Sequence, residues 1–128
     1  MQMDRQVQIN ACRSEITWGL DRIDGNYGQE DYTPTTIGCG ATVFVIDTGI
    51  RYTHDEFQTS DLSSKVVGGY NAITSTPGVT VESADDDNGH GTHCAGTVAG
   101  LTYGVATGAN LYAIKVLSAS GSGSGATP

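Results

Sequence analysis

Basic residues are scarce in this sequence of 128 residues. Lys and Arg together number 6 against 14 Asp and Glu, which gives a formal net charge of −8 at pH 7. Proteins that bind nucleic acid or an anionic membrane surface use clusters of Lys and Arg to contact the phosphates. The charge balance therefore argues against nucleic acid and against a membrane as partners.

Long apolar runs and paired cysteines are also missing. No stretch of about 18 apolar residues is present that could span a membrane, and the N-terminal Met-Gln-Met-Asp-Arg-Gln-Val lacks the apolar segment of a secretory signal peptide. The 3 cysteines are an odd number, too few for a disulfide scaffold and wrongly spaced for a zinc ribbon. Apolar residues make up 38% and glycine occupies 18 positions, which predicts one small domain with a thin core.

The residues that are present predict three strands and a helix. Residues 41–46, 65–70 and 111–117 have strand character, and the first of these is a near-continuous, β-branched apolar run typical of a central parallel strand buried on both faces. Lys115 is expected near an edge or turned outward. Residues 91–101 are rich in Ala, Gly and Thr and predict a helix that packs closely on the sheet. This order predicts a βαβ unit and an α/β fold.

The remaining segments predict loops. Residues 25–40 and 71–89 are rich in Gly, Asn, Thr and Pro and predict surface loops. Within the second, the run Asp85-Asp86-Asp87 predicts solvated acids. Residues 118–128, taken alone, are a Ser/Gly-rich sequence typical of a flexible linker.

A carboxylate at the end of the first predicted strand is the first candidate for chemistry. Asp47 directly follows the apolar run, and the carboxyl ends of parallel strands are where open α/β folds bind their ligands. Gly49 permits a sharp turn that leaves the carboxylate at the mouth of a cleft. The alternative is an acid that only caps the following turn.

The second candidate is a histidine at the predicted helix start. His90 lies between two glycines, so the backbone can bend tightly there, and a helix N-terminus favours the neutral imidazole that a general base requires. His93 and Cys94 raise the alternative of a metal site, but the i, i+3 spacing of the histidines departs from the usual zinc spacing. Cys94 is expected to be a buried thiol, and His54 a structural or surface residue.

An Asp at a strand end followed by a His at a helix start supplies two residues of a catalytic triad, in the chain order of the subtilisins. Four motifs resemble those of the subtilisin-like serine peptidases: Val-Ile-Asp-Thr-Gly at 45–49, Asn-Gly-His-Gly-Thr-His-Cys-Ala-Gly-Thr at 88–97, Tyr-Gly-Val-Ala at 103–106 and Lys-Val-Leu at 115–117. Cys94 and the segment Trp-Gly-Leu-Asp-Arg-Ile at 18–23 resemble the proteinase K-like branch. The resemblance implies a three-layer α/β fold with a mainly parallel sheet.

The same resemblance implies a serine endopeptidase whose triad Asp is Asp47 and whose triad His is His90. It implies protein or peptide substrates, a chemistry that requires no cofactor, and a secreted, extracellular or vacuolar-lysosomal location. Cys94 would lie beneath the catalytic histidine. In the family, a segment at the sheet edge pairs with an extended substrate. The residues of this sequence that match it are Leu117, Gly121, Ser122 and Gly123. The resemblance therefore implies a substrate-binding segment here in place of a flexible linker.

Part of the family pattern is absent from this sequence. The family's nucleophile lies in a Gly-Thr-Ser motif beyond the Asn of the oxyanion hole, and neither element occurs here. The sequence thus corresponds to the N-terminal half of the fold, with residues 12–128 as an incomplete peptidase domain, and this chain alone is expected to be inactive. Residues 3–11 resemble the end of the family's inhibitory propeptide, so residues 1–11 are assigned to it; an ordinary disordered N-terminus is the alternative.

Structural calcium and a disulfide are two further expectations. Calcium is the family's usual stabiliser, and Asp21, Asp24 and Asp31 could supply oxygen ligands to an early site. Solvated surface acids are the simpler interpretation of these three residues. Cys12 and Cys39 could form a disulfide in an oxidising compartment.

Two other functions compete with the serine peptidase. The Asp-Thr-Gly at 47–49 also resembles an aspartic peptidase, in which two copies would each contribute Asp47, but this leaves the His90 motif unexplained. The other is an inactive fragment or a pseudo-enzyme that binds peptides through residues 121–123.

Overall fold

The structure, a computed structural model, describes residues 16–25, 31–61, 63–74 and 78–123. The helices and strands in these ranges are α1 (Trp18–Ile23), β1 (Thr42–Asp47), β2 (Val66–Asn71), α2 (His90–Ala99) and β3 (Asn110–Lys115). Single 3₁₀ turns at Asp55–Phe57 and Glu82–Ala84 precede β2 and α2. The three predicted strands and the predicted helix all form, with small shifts at their ends. No helix in the described ranges is long and apolar enough to cross a membrane.

The three strands form one parallel sheet in the order β1-β3-β2. The central strand β3 pairs Lys115 with Asp47 on one side and with Asn71 on the other, so the carboxyl ends of all three strands meet at one edge. Helix α2 lies between β2 and β3 in the chain and packs against β1 and β3. Parallel strands joined through a helix confirm the α/β fold class.

Helix α2 approaches the sheet closely because its inner face consists of small residues. Gly91, Ala95 and Ala99 are buried at intervals of four residues along it. A Cβ on Gly91 would meet the carbonyl oxygen of Gly49 at 2.2 Å, so the approach requires glycine. Larger apolar side chains complete the buried cluster: Val45, Ile50, Phe57, Val66 and Leu111.

The opposite face of the sheet is exposed in the described part of the chain. Phe44, Ile46 and Val67, which we call the open face, are 58%, 64% and 54% exposed. The prediction of a central first strand buried on both faces is therefore wrong within these residues, because β1 lies at the sheet edge and only its inward side chains, such as Val45, are covered. Side chains alternate between the faces of a strand, and an apolar run does not reveal which element covers each face.

Lys115 lies at the carboxyl-terminal edge of the sheet, but its side chain is buried, so the alternative that it turns outward is wrong. Its side chain is at the carboxyl end of the central strand, and the residue is 3% exposed. Its Nζ donates to the carbonyl oxygens of Thr48 and Leu117 and to the carboxylate of Asp87. Three acceptors therefore satisfy the three N–H groups of the ammonium, which makes its burial tolerable.

Candidate active site

The end of β1 and the start of α2 bring Asp47 and His90 together. Asp47 is the last residue of β1, and His90 is the first residue of α2. Gly89 precedes the helix with φ +110°, a left-handed conformation that allows the chain to turn sharply into it. The Nδ1 atom of His90 lies 2.8 Å from both carboxylate oxygens of Asp47. The two side chains form a hydrogen-bonded pair across 43 residues of sequence.

The surroundings of the pair favour an ionised carboxylate. Burial by itself raises the pKa of Asp47, but hydrogen bonds from His90 and from the Thr48 backbone N–H outweigh it, so the pKa lies below the ordinary value of 3.8. An ionised carboxylate only accepts hydrogen bonds, so Nδ1 carries the proton. In the uncharged form of the ring, the lone pair is then on Nε2, and the His90 side chain is 65% exposed. This arrangement suits a histidine that accepts a proton from a group outside the described residues.

The segment after β3 begins beside this pair. The backbone N–H groups of Val116 and Leu117 both donate to the Asp47 carbonyl oxygen, at 2.9 and 3.1 Å. Beyond them, Ser118 and Ser122 close a turn through a backbone bond of 2.9 Å. The Asn88 side-chain amide, two residues before His90, donates to the Ala119 carbonyl at 2.8 Å. The segment to residue 123 is therefore held against the pair, and the flexible linker expected from composition alone is not what these residues form.

The residues with a predicted substrate role lie in different parts of this segment. Leu117 is half-buried, whereas Gly121, Ser122 and Gly123 are exposed in or next to the turn. Gly121 has φ +73°, which explains the glycine at that position. Their role in binding substrate stays a prediction.

Comparison with known proteins assigns the family. The model of the subtilase family (peptidase S8) matches residues 38–127. The chain belongs to the subtilase family. This confirms the resemblance seen in the sequence motifs and leaves the aspartic-peptidase alternative without support.

The relatives of this subtilase chain are serine proteases. It is 49% identical to the cuticle-degrading serine protease of Arthrobotrys oligospora over 97% of this chain and 30% of the relative. It is 47% identical to the extracellular serine proteinase of a Thermus species over 97% of this chain and 28% of the relative. The crystal structure of a cold-adapted subtilisin-like serine proteinase matches with a TM-score of 0.69 and 38% identity over 87% of this chain and 38% of that one. The chain thus spans about 30% of the length of these curated relatives.

Cys94 of this subtilase chain contacts the pair from the next turn of α2. Its Sγ is 3.9 Å from the Nδ1 of His90, and it is half-buried, so the thiol is less enclosed than expected. Ligand atoms of Asp47, His90 and Cys94 lie within 4.8 Å of one another, the one such group of three found in the described ranges. His93, which the sequence suggested as a metal ligand, is exposed and outside this group. The Nδ1 of His90 is hydrogen-bonded to Asp47.

The candidate calcium ligands of this subtilase chain lie in α1 and after it in the chain. Among the described residues, the ligand atoms of Asp21, Asp24 and Asp31 form no group within 4.8 Å of one another. Asp21 is buried at 8% exposure, which differs from a solvated surface acid. Structural calcium at these residues stays a prediction.

Three other sequence predictions concern His54, the Cys12–Cys39 disulfide and residues 1–11. His54 is exposed and caps the 3₁₀ turn at Asp55–Phe57, with its Nδ1 accepting from the Glu56 N–H at 3.2 Å, as a structural or surface residue would. Cys39 is exposed, but Cys12 lies outside the described residues, so the proposed disulfide stays a prediction. Residues 1–11, with the propeptide resemblance, also lie outside them.

Asp86 is a site residue that sequence reasoning missed. The acidic run 85–87 predicted solvated side chains, yet Asp86 is 7% exposed and accepts hydrogen bonds from three other residues around the pair besides Thr48. That prediction is wrong for Asp86, because Thr48 after β1 and three residues at the start of α2 supply hydrogen bonds to its carboxylate. Its position three residues before Gly89 and four before His90 is the one signal in the sequence that could have indicated an acid bonded to the first turn of the helix.

Proposed function

We propose that this chain is the part of a subtilisin-like serine endopeptidase that carries the general base of an Asp-His-Ser triad. The observation that carries the proposal is the contact of His90 Nδ1 with both oxygens of Asp47 at 2.8 Å. Family membership supports the reaction class. The third triad residue is a serine outside this sequence.

In the proposed mechanism, Asp47 fixes the tautomer and orientation of the imidazole. His90 Nε2 takes the hydroxyl proton of the serine as the serine oxygen attacks the substrate carbonyl carbon, and the carbonyl π electrons move to its oxygen. The resulting imidazolium is stabilised by the Asp47 carboxylate and gives its proton to the leaving amine as the peptide C–N bond breaks. Water then hydrolyses the acyl-enzyme by the same proton route, which regenerates the serine. No cofactor takes part in these steps.

The proposed substrates are proteins or peptides in extended conformation. Leu117, whose N–H bonds to the Asp47 carbonyl, places the start of the 117–123 segment next to the pair. Gly121, Ser122 and Gly123 are exposed, and an extended strand could add to their backbone groups that the turn to Ser118 does not use. The propeptide, with its end in residues 1–11, would inhibit by occupying the same place. Secretion is proposed because a relative is named an extracellular serine proteinase.

The test is labelling of the full-length protein with a fluorophosphonate, which reacts with activated serines. The full-length protein should be labelled and should hydrolyse a fluorogenic peptide, and His90→Ala should abolish both. The 128-residue chain alone should show neither, because it lacks the Gly-Thr-Ser motif. Labelling of the isolated chain would contradict its proposed inactivity. A full-length protein that binds peptides but is neither labelled nor active would favour the pseudo-enzyme, and the endopeptidase proposal would fail.

A further inference from the structure

A buried carboxylate lies directly behind the Asp47–His90 pair. Asp86 precedes α2 by four residues and is 7% exposed. Its Oδ1 accepts from the Thr48 hydroxyl at 2.8 Å and from the backbone N–H groups of Asn88 and Gly89 at 3.0 and 2.9 Å. Its Oδ2 accepts from the backbone N–H and the hydroxyl of Thr92, at 2.9 and 2.5 Å. Five donors therefore surround two oxygens.

The residues that supply these donors are neighbours of Asp47 and His90 in the chain. Thr48 directly follows Asp47, and its backbone N–H donates to Asp47 Oδ1 at 2.7 Å. Its hydroxyl oxygen also accepts from the N–H of Gly91, the residue after His90, at 2.9 Å. Gly89 and Thr92 lie on the two sides of His90 in the first turn of α2. Asp86 and Thr48 thus join the turn after β1 to the start of α2 through buried hydrogen bonds.

We infer that Asp86, acting through Thr48, is a positioning residue that sets the distance and orientation of the His90 imidazole relative to Asp47. The inference rests on the proposed function for its catalytic consequence. Asp86 contacts neither the imidazole nor the Asp47 side chain in the bonds described, so it acts through the backbone that carries them. Loss of a positioning contact that shifts a reacting group by about 1 Å can lower a rate by roughly 10²-fold.

The donor pattern requires a carboxylate and does not accept an amide of the same shape. In Asp86→Asn, an NH₂ group in the place of Oδ1 would face the N–H groups of Asn88 and Gly89. An NH₂ group in the place of Oδ2 would face the N–H of Thr92. Either orientation puts donor against donor in a buried place, and the cost of an unmet buried hydrogen bond then falls on the first turn of α2. Burial raises the pKa of Asp86, but hydrogen bonds from Thr92, Gly89 and Asn88 outweigh it and hold the pKa well below the ordinary value.

The test compares Asp86→Asn with Asp85→Asn in the full-length protein. Asp85 is the adjacent residue and is exposed, so its substitution makes the same change in charge without touching the network. Active sites are counted by fluorophosphonate titration, and kcat and KM are measured per titrated site. Asp86→Asn should lower kcat about 10- to 100-fold with KM close to wild type, and Asp85→Asn should change neither. Equal kcat per titrated site in the two variants would overturn the inference.

A second pair of variants keeps the inference testable if Asp86→Asn fails to fold. Thr48→Ser retains the hydroxyl that joins Asp86 to Gly91, whereas Thr48→Val removes it at nearly constant volume. The valine variant should lose kcat and the serine variant should retain most of it. Equal kcat in these two would also overturn the inference.

A spectroscopic readout separates this inference from the proposed function. The NMR signal of the proton on His90 Nδ1 reports its hydrogen bond to Asp47 without any turnover. The signal should shift or broaden in Asp86→Asn and stay unchanged in Asp85→Asn. If the wild-type protein is inactive but the Nδ1 signal changes in Asp86→Asn, only the endopeptidase proposal fails. If the wild-type protein is active but the Nδ1 signal does not change in Asp86→Asn, only the positioning role fails.

Discussion

The carboxyl-terminal edge of the sheet and its open face are built in opposite ways. At this edge, which carries the candidate site, Thr48, Asp86 and Lys115 are almost fully buried and each makes several hydrogen bonds. On the open face, the apolar side chains of Phe44 and Ile46 are more than half exposed. In the described residues, the hydrogen bonds around the pair come from this edge, and no side chain of the open face takes part in them. The two regions should therefore respond differently to substitution.

The largest expected effect concerns the edge. In the full-length protein, Asp47→Asn should lower kcat by about 10⁴-fold, because an amide no longer favours the His90 tautomer with the proton on Nδ1. The measurement is peptide hydrolysis per titrated active site. Asp85→Asn is the matched control and should keep wild-type turnover. Nearly unchanged activity in Asp47→Asn would remove Asp47 from the mechanism.

Truncations on the two faces of the sheet should differ strongly in their effect on stability. Leu111 is fully buried, and Leu111→Ala should lower the free energy of unfolding of the 128-residue chain by about 2–5 kcal/mol. Ile46 is 64% exposed, and Ile46→Ala should change it by about 0.5 kcal/mol. Urea unfolding followed by circular dichroism measures both. An equal loss of unfolding free energy in the two variants would show that the open face is covered, and would contradict the difference between the two faces of the sheet.

Two glycines of α2 distinguish the edge from the rest of the helix. Gly91→Ala should destabilise the fold by about 1–3 kcal/mol, because its Cβ would meet the Gly49 carbonyl oxygen at 2.2 Å. Gly96 has no described atom within 4 Å of a built Cβ, so Gly96→Ala should stabilise the helix by up to about 1 kcal/mol. Thermal unfolding of the two variants measures both signs. A Gly91→Ala variant as stable as wild type would show that the start of α2 can move away from the Gly49 carbonyl without loss of stability.

The smallest expected effect is a pH dependence of stability. The pKa of Asp86 is lowered in the folded state, so its ionised form contributes stability at pH values above its ordinary pKa of 3.8. That contribution is lost as the pH falls from there toward the lowered pKa. The stability difference between wild type and Asp86→Asn should therefore be constant above this range and shrink in acid. A difference that does not change with pH would show that the charge of Asp86 is not what stabilises the edge.

Much of the fold and the central contact of the site could be predicted from local sequence. The three strands and α2 follow from β-branched apolar runs and a segment of small residues, and these signals depend only on neighbours in the chain. Asp47 and His90 were expected to meet because strand ends and helix starts lie at the same edge of a parallel sheet. The contact at 2.8 Å agrees with that expectation.

The buried charges could not be predicted in the same way. The sequence predicts Lys115 near an edge or turned outward and Asp86 solvated, because a charged residue is costly to bury unless partners satisfy it. Some of those partners are near neighbours in the chain, but the Thr48 carbonyl is 67 residues from Lys115 and the Thr48 hydroxyl is 38 residues from Asp86. No local pattern contains these two long-range contacts.

The sequence by itself determined the α/β class, the family and which two residues form the candidate pair, because periodicity and motif spacing are properties of short segments. The tertiary structure alone decided the strand order β1-β3-β2, which face of the sheet is covered, and how Asp86 and Lys115 are satisfied. The physical reason is that burial and hydrogen bonding depend on which distant segments come into contact, and that is fixed only when the whole chain packs.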